Sequence, residues 1–188
     1  MKNIISGFLF LGIALSSYYV HAQSAVTIAF DPLSVIALGG YEVELGLNSN
    51  KNRFTASYLS GDLSPWFGQA GDFSSTSHGV LEVAYSRFLK EGQEGASFGL
   101  AYAYYAEFTV EDTQGQFLDK NPSRLSAKLA YTWFPFKSFP LYLEPSMTFG
   151  FFLNDEDLNF TSGEVFDKKS FIGNGPLFNV GYRFNLTK

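Results

Sequence analysis

The sequence predicts an all-β chain that closes into an eight-stranded, antiparallel, up-and-down β-barrel. Three observations lead to this fold: large apolar residues alternate with small or polar ones, connections alternate between short and long, and charged residues are few while aromatic residues are many. Alternation with period two places the two sets of side chains on opposite faces of a strand. Closing the sheet into a barrel removes its unpaired edges.

Alternation and turn signals predict eight strands, at about 25–35, 38–48, 53–62, 78–90, 95–110, 123–135, 140–153 and 175–186. The first connection, near residues 36–37, is predicted to be short. Three further connections are tight turns, at 49–52, 91–94 and 136–139. Three are long, at 63–77, 111–122 and 154–174. An even number of strands then places the tight turns and both termini at one end and the long loops at the other.

The N-terminal residues are typical of an export signal. A short basic start at Lys2 precedes a mostly apolar stretch from Ile4 to Tyr19, and Val20-His21-Ala22 fits the small-x-small cleavage rule. We therefore predict a signal peptide at 1–22 and a barrel at 23–188.

Composition narrows the function classes. Removal of Lys2 with the signal leaves 12 basic and 18 acidic residues, an acidic balance that argues against nucleic-acid binding. The absence of Cys excludes disulfide and thiolate chemistry. Charged residues make up 16% of the chain, below the roughly 25% of a soluble domain. Low charge with 18% aromatic residues is expected when one face of a barrel meets lipid.

Alternation by itself does not say which face points outward. A soluble lipocalin-like barrel would turn its apolar face inward around a ligand. The transmembrane orientation is favoured because the polar face is rich in small residues, as at Ser97, Gly99 and Ala101, which suits a narrow interior. Aromatic residues also lie near strand ends, where membrane barrels carry aromatic girdles: Phe108, Tyr131, Trp133, Phe151, Tyr182 and Phe184.

In the transmembrane orientation the interior contains charges of both signs. An eight-stranded barrel has room only for its own side chains, so these groups are expected to pair with one another. Two hypotheses are an ion or proton path and a structural salt-bridged core, and the second is favoured because nothing marks a continuous passage. The predicted network consists of Glu42, Glu44, Glu82, Glu107, Arg124, Lys128, Glu144 and Arg183, with Arg53 also predicted to point inward.

The last predicted strand carries a recognisable pattern. Asn179, Gly181, Phe184 and Leu186 follow the order polar-x-Gly-x-x-aromatic-x-hydrophobic. This order resembles the C-terminal assembly signal of bacterial outer-membrane barrels, with Leu186 in place of the usual final aromatic residue. The resemblance implies that the barrel-assembly machinery is a partner and that the protein resides in a Gram-negative outer membrane.

The whole pattern resembles the small outer-membrane barrels of the OmpA-transmembrane, OmpX and OmpW type. Asp31-Pro32-Leu33-Ser34, followed by Gly39-Gly40-Tyr41-Glu42-Val43, is also similar to the opening of small barrels common in Bacteroidota. The resemblance implies contact with outer-membrane lipid and lipopolysaccharide. It does not select among envelope stabilisers, surface-binding proteins, conduits and lipid A enzymes. We expect a non-enzymatic envelope or surface-interaction role through the long loops, with an unidentified external ligand and a porin-like architecture; a conduit for small apolar molecules remains an alternative.

Catalytic and metal chemistry have few candidate residues. His78 is the single His after the signal, so Ser–His chemistry of the kind used by lipid A deacylases would have to use it. Glu82 lies four residues away, roughly 13 Å along a strand, too far to orient His78 directly. The acidic loop at 154–160 has Phe160 where a calcium loop needs Gly. The sequence therefore predicts no catalytic residue, no metal site and no cofactor, with a His78-dependent lipid A enzyme as the alternative.

Overall fold

The computed structural model describes residues 24–62, 74–153, 158–163, 165–166 and 172–186. The predicted signal peptide at 1–22 lies outside these residues. Eight strands form the wall: β1 (Ser24–Phe30), β2 (Tyr41–Ser49), β3 (Asn52–Asp62), β4 (Ser74–Phe88), β5 (Gly95–Glu111), β7 (Ser123–Thr132), β8 (Leu141–Phe152) and β11 (Ile172–Asn185).

The eight strands close into an antiparallel barrel, as predicted. Each wall strand pairs with the next wall strand along the chain, and β1 pairs with β11 from Ala25–Asn185 to Phe30–Val180 to complete the ring. The three tight turns lie at the end of the barrel where β1 begins and β11 ends, which we call the turn end. The longer connections lie at the opposite end, the loop end.

The connection between β1 and β2 differs from the prediction. A helix, α1 (Pro32–Leu38), replaces the predicted end of the first strand and the short turn near 36–37. Asp31 caps the helix, since its side chain accepts a hydrogen bond from the Leu33 backbone N–H at 2.7 Å. Pro32 lies in the first turn, where a backbone N–H has no partner within the helix, so its missing N–H costs no hydrogen bond. Gly39, with φ of 59°, ends the helix in the left-handed region.

Smaller elements decorate the ends. At the loop end, β6 (Phe117–Lys120) pairs with β5 beyond the wall, and β9 (Leu158–Asn159) pairs with β10 (Val165–Phe166). At the turn end a short 3-10 helix spans Glu91–Gln93. Among the described residues, no helix is long and apolar enough to cross a membrane.

Candidate functional site

The interior of the barrel is the candidate site, because the predicted charged residues meet there. On β2 the inward positions are Glu42, Glu44, Gly46 and Asn48, while the alternate residues face outward. The same alternation buries Ser97 and Ala101 of β5 and leaves Leu100 60% exposed. On β2 and on this part of β5, the face of small and polar residues is therefore the inner one.

Three ion pairs form a layer across the barrel, which we call the charged layer. Lys128 of β7 lies 3.3 Å from Glu44 of β2, and Arg124 of β7 lies 3.6 Å from Glu82 of β4. Arg53 of β3 pairs with Glu144 of β8. None of these pairs joins adjacent strands, so each one bridges the interior.

The Arg53–Glu144 pair has the most support. Thr132 donates its hydroxyl to the same Glu144 oxygen that Arg53 binds, and Arg53 Nε donates to Asn48 Oδ1 at 2.9 Å. The guanidinium lies 4.8 Å from the Phe88 ring centroid and 5.3 Å from that of Tyr142, within cation–π range. A buried ion pair needs such extra partners to offset desolvation.

The predicted network is only partly assembled. Five of its eight members form ion pairs: Glu44, Glu82, Arg124, Lys128 and Glu144. The Glu42 side chain is buried inside the barrel but makes no ion pair or hydrogen bond in the described part of the chain. Of Glu107 only the backbone, in β5, is described. The sixth paired residue is Arg53, whose inward position follows from its alternation with Ser57 and Leu59.

Arg183 lies apart from the charged layer. Its guanidinium is 4.4 Å from the Phe134 ring centroid, and Nη1 donates to the Gly92 carbonyl oxygen at 2.9 Å. Within the described residues it makes no ion pair with a carboxylate. It sits near the turn end of β11, next to the connection that carries Gly92, which places it beyond the reach of the carboxylates higher in the barrel.

Above the charged layer, toward the loop end, the interior is filled by apolar side chains. This group, the apolar cap, was not predicted, and it consists of Leu38, Leu59, Val80, Ala103, Tyr105, Phe108, Val110, Phe152 and Phe160. Tyr105 packs edge-on against Phe108 and Phe152, and its ring lies 5.8 Å from the Arg124 guanidinium. The contact between Arg124 and Tyr105 thus connects the charged layer to the apolar cap.

The prediction that Phe108 faces outward in an aromatic girdle is wrong, because Phe108 is fully buried. The inversion lies where β5 changes its partner. Tyr104 pairs with Ser123 of β7, and the next described pair is Phe108 with Lys120 of β6, so three residues of β5 oppose two of the other segment. The alternation of β5 inverts at this change of partner, whereas its register with β4 is continuous. Phe108 and Val110 then point inward, where strict alternation would place their neighbours.

Hydrogen bonds join residues 112–116 to residues 161–162, next to Phe160 of the apolar cap, and we call this set of bonds the latch. The Gln116 side-chain oxygen accepts hydrogen bonds from the backbone N–H and the hydroxyl of Thr161, both at 2.9 Å. Ser162 donates its hydroxyl to Asp112 Oδ2 at 2.9 Å. Desolvation acts to raise the pKa of Asp112, but hydrogen bonds from the Gln116 N–H, the Ser162 hydroxyl and the Gln114 N–H hold it below its ordinary value.

The residues of the predicted assembly signal lie on the faces that alternation predicts. Asn179 and Gly181 face inward and are buried, whereas Phe184 and Leu186 are exposed. Gly181 pairs with Tyr142, whose ring lies across it so closely that a Cβ at position 181 would collide with the ring. An aromatic ring over a cross-strand glycine covers backbone that would otherwise be exposed. Glycine is therefore required here by packing.

Catalytic chemistry gains no support from the described residues. The His78 side chain lies outside them, and Glu82, its nearest candidate partner, is paired with Arg124. No group of three or more His, Asp or Glu side chains among the described residues is placed to hold a metal ion.

Comparison with protein-family models found no match for this chain. A search of curated proteins likewise found no similar sequence. The class of protein is therefore defined by the fold alone: a closed eight-stranded antiparallel β-barrel with a filled interior.

Proposed function

We propose that this protein is a non-enzymatic outer-membrane β-barrel that acts in the cell envelope, or in surface interactions, through its loop end. The observation that carries the proposal is the outward face of the wall. Every wall strand contributes at least one large apolar side chain that is substantially exposed, including Ile28, Leu45, Phe54, Leu81, Leu100, Leu129, Phe149 and Phe184. Soluble monomers rarely expose contiguous apolar patches above a few hundred Å².

This outward face separates the two orientations left open by the sequence. A lipocalin-like barrel would bury its apolar face and expose its polar one. Here Leu45 and Leu100 point out, while Glu44 and Ala101 point in. Lipid is the solvent that suits such a wall, and a closed barrel satisfies its backbone hydrogen bonds without water.

The filled interior supports a structural role over a conduit. The charged layer bridges the barrel through three ion pairs, and the apolar cap lies above it. A passage would have to break both. We therefore expect the reconstituted protein to show little or no stable conductance in planar bilayers. Large, reproducible single-channel currents from the monomer would favour the conduit alternative.

Location and face can be tested together. The protein is expected to fractionate with outer membranes and to migrate anomalously on unheated gels, since closed barrels resist detergent. In liposomes, Leu100→Cys should resist water-soluble thiol reagents, whereas Lys137→Cys in an exposed turn should react when it faces the reagent. The chain has no native Cys to interfere. Recovery as a soluble periplasmic monomer, or rapid labelling at position 100, would contradict the proposal.

The enzyme alternative has its own test. Mass spectrometry of lipid A from cells with and without the protein should show the same acyl-chain pattern, since nothing in the described residues forms a nucleophile–base pair. A difference that disappears in the His78→Ala variant would overturn the non-enzymatic assignment.

The terminal strand supports the barrel-assembly machinery as a partner. Phe184 and Leu186 present exposed apolar side chains at the seam where β11 meets β1. We expect Phe184→Ala to slow insertion in cells more than refolding of the purified chain in detergent. Equal effects in both assays would argue that Phe184 acts only in packing.

A further inference from the structure

The wall of the barrel is unevenly tall, and α1 sits at its lowest point. β1 has 7 residues and β2 has 9, whereas the flanking β3 and β11 have 11 and 14. Phe30, the last residue of β1, pairs with Val180. Residues 172–179 of β11 therefore extend beyond the end of β1. On the other side, Tyr41 of β2 pairs with Ser60, and β3 continues past it.

The length of β1 places α1 at the depth of the hydrocarbon. Seven residues at about 3.3 Å each, tilted by roughly 40°, rise about 18 Å, whereas the apolar band of a membrane barrel is about 25 Å tall. At the loop end of this sector, the described element that follows β1 and can supply the remaining distance of about 7 Å is α1.

The backbone of α1 suits a medium without water. A helix satisfies its internal hydrogen bonds, and one group at each end is also bonded here: Asp31 accepts from the Leu33 N–H, and the Gly40 N–H donates to the Ser34 carbonyl oxygen at 3.2 Å. The second Asp31 carboxylate oxygen accepts from the Phe178 N–H of β11 at 3.4 Å. The same side chain therefore ties α1 to the strand that overhangs β1.

The side chains of α1 point in two directions, toward the apolar cap and away from the barrel. Leu38 is buried in the apolar cap, and Ser34 is buried with its hydroxyl bonded to the Asp31 carbonyl oxygen. Val35 and Ile36 face outward, and Ile36 is 80% exposed. No residue of the helix is charged. In water this face would be an uncovered apolar patch.

We propose that α1 is a section of the barrel wall that contacts lipid acyl chains of the outer leaflet through Val35 and Ile36. The lipid is identified by continuity, because the outward residues at the neighbouring strand ends, Phe30, Tyr41 and Val43, are also exposed and apolar. This inference rests on the proposed outer-membrane location. It extends the lipid-facing surface from the alternating strands to a helix between β1 and β2.

Tryptophan quenching by brominated lipid tests the assignment. The two native residues, Trp66 and Trp133, are replaced by Phe, and one probe is introduced at a time into this background. Ile36→Trp reports on α1, Leu100→Trp on the middle of the wall, and Lys137→Trp on an exposed turn. Gel mobility before and after heating verifies that each variant is folded. The vesicles contain phospholipid brominated along the acyl chain.

We expect quenching of Ile36→Trp to match that of Leu100→Trp within about twofold, with Lys137→Trp quenched least. Quenching at position 100 without quenching at position 36 would overturn the assignment of α1 to lipid while leaving the membrane location intact. If cross-linking in that case also yields a dimer, the α1 face is a contact between two copies. Absence of quenching at both positions would contradict the outer-membrane proposal itself.

Discussion

The charged layer and the apolar cap fill the same interior by different means. The charged layer consists of long polar side chains that cross the barrel in pairs, from β2 to β7, β3 to β8 and β4 to β7. The apolar cap is built partly from elements outside the regular wall: Leu38 comes from α1, Phe108 from the part of β5 that pairs with β6, and Phe160 from the segment after β8. One region follows strand alternation, and the other depends on departures from it.

This difference has an energetic consequence. A buried ion pair contributes little net stability, yet loss of one partner leaves an uncompensated charge. An apolar cluster loses stability in proportion to the volume removed. We therefore expect single substitutions in the charged layer to be the more damaging, and those in the cap to be graded by size.

The largest effect is expected for Arg53→Met, which strands Glu144 and should lower the free energy of unfolding by about 3–5 kcal/mol. Urea unfolding in lipid vesicles measures it. The double variant Arg53→Met/Glu144→Leu should recover part of the loss. Arg183→Met is the matched control, since Arg183 makes no ion pair among the described residues, and its replacement should cost clearly less. If the two substitutions lower the free energy of unfolding equally, the ion pair of Arg53 is not the cause of its larger expected effect.

Next is Phe152→Ala, which leaves a cavity in the cap and should cost about 3 kcal/mol. Its neighbour Phe151 faces outward on the same strand and is 48% exposed. Phe151→Ala should cost about 1 kcal/mol, because in the proposed membrane location lipid can fill the space that the ring leaves. The same unfolding assay compares them. A larger loss at 151 than at 152 would mean that the faces of β8 are misassigned.

A smaller effect is expected at the N-terminus of α1. Asp31→Ala removes the helix cap and the contact to β11, and should cost about 1 kcal/mol, whereas Asp31→Asn retains an acceptor and should cost less. Hydrogen exchange should increase in α1 without increasing in β7, which carries the charged layer. Faster exchange in both would show that the two regions do not open independently.

The smallest effect concerns the latch and its pH dependence. Because the folded-state pKa of Asp112 is below its ordinary value, the carboxylate stabilises the latch above the unfolded pKa of about 3.9 and loses that contribution as the pH falls through the folded pKa. Hydrogen exchange of residues 160–162 should therefore rise as the pH is lowered below the unfolded pKa of about 3.9, after correction for intrinsic rates. Asp112→Asn should remove most of this dependence, and an unchanged pH profile in that variant would rule out Asp112 as its source.

Where the chain is regular, the sequence was sufficient to predict its structure. Period-two alternation predicted the inward positions of Glu44, Lys128 and Glu144, because a strand with one consistent inner face fixes every second side chain. It also predicted the small, buried Ala101 and the exposed Leu100. The barrel closure followed from the number of strands and the lengths of the turns.

Three features of the structure were not predicted from the sequence: the helix α1, the inward position of Phe108 and the pairing of Arg53 with Glu144. The helix at 32–38 lies where strand and a short turn are predicted, although Asp31-Pro32 and Gly39 are its capping signals, because a short apolar run fits either structure. The inversion at Phe108 required the pairing of β5 with β6, which sequence alternation does not contain. The pairing of Arg53 with Glu144 depended on which strands face each other across the interior.

The sequence alone thus determined the number of wall strands, the faces of their regular parts and the order in which they close, since these depend on local periodicity and turn chemistry. Tertiary structure decided which charge meets which, where β5 changes its partner, and how α1 and Phe160 complete the interior. The physical reason is that alternation specifies a side for each residue but not a partner. Partners are chosen only when strand register, barrel diameter and loop packing bring separate segments of the chain together.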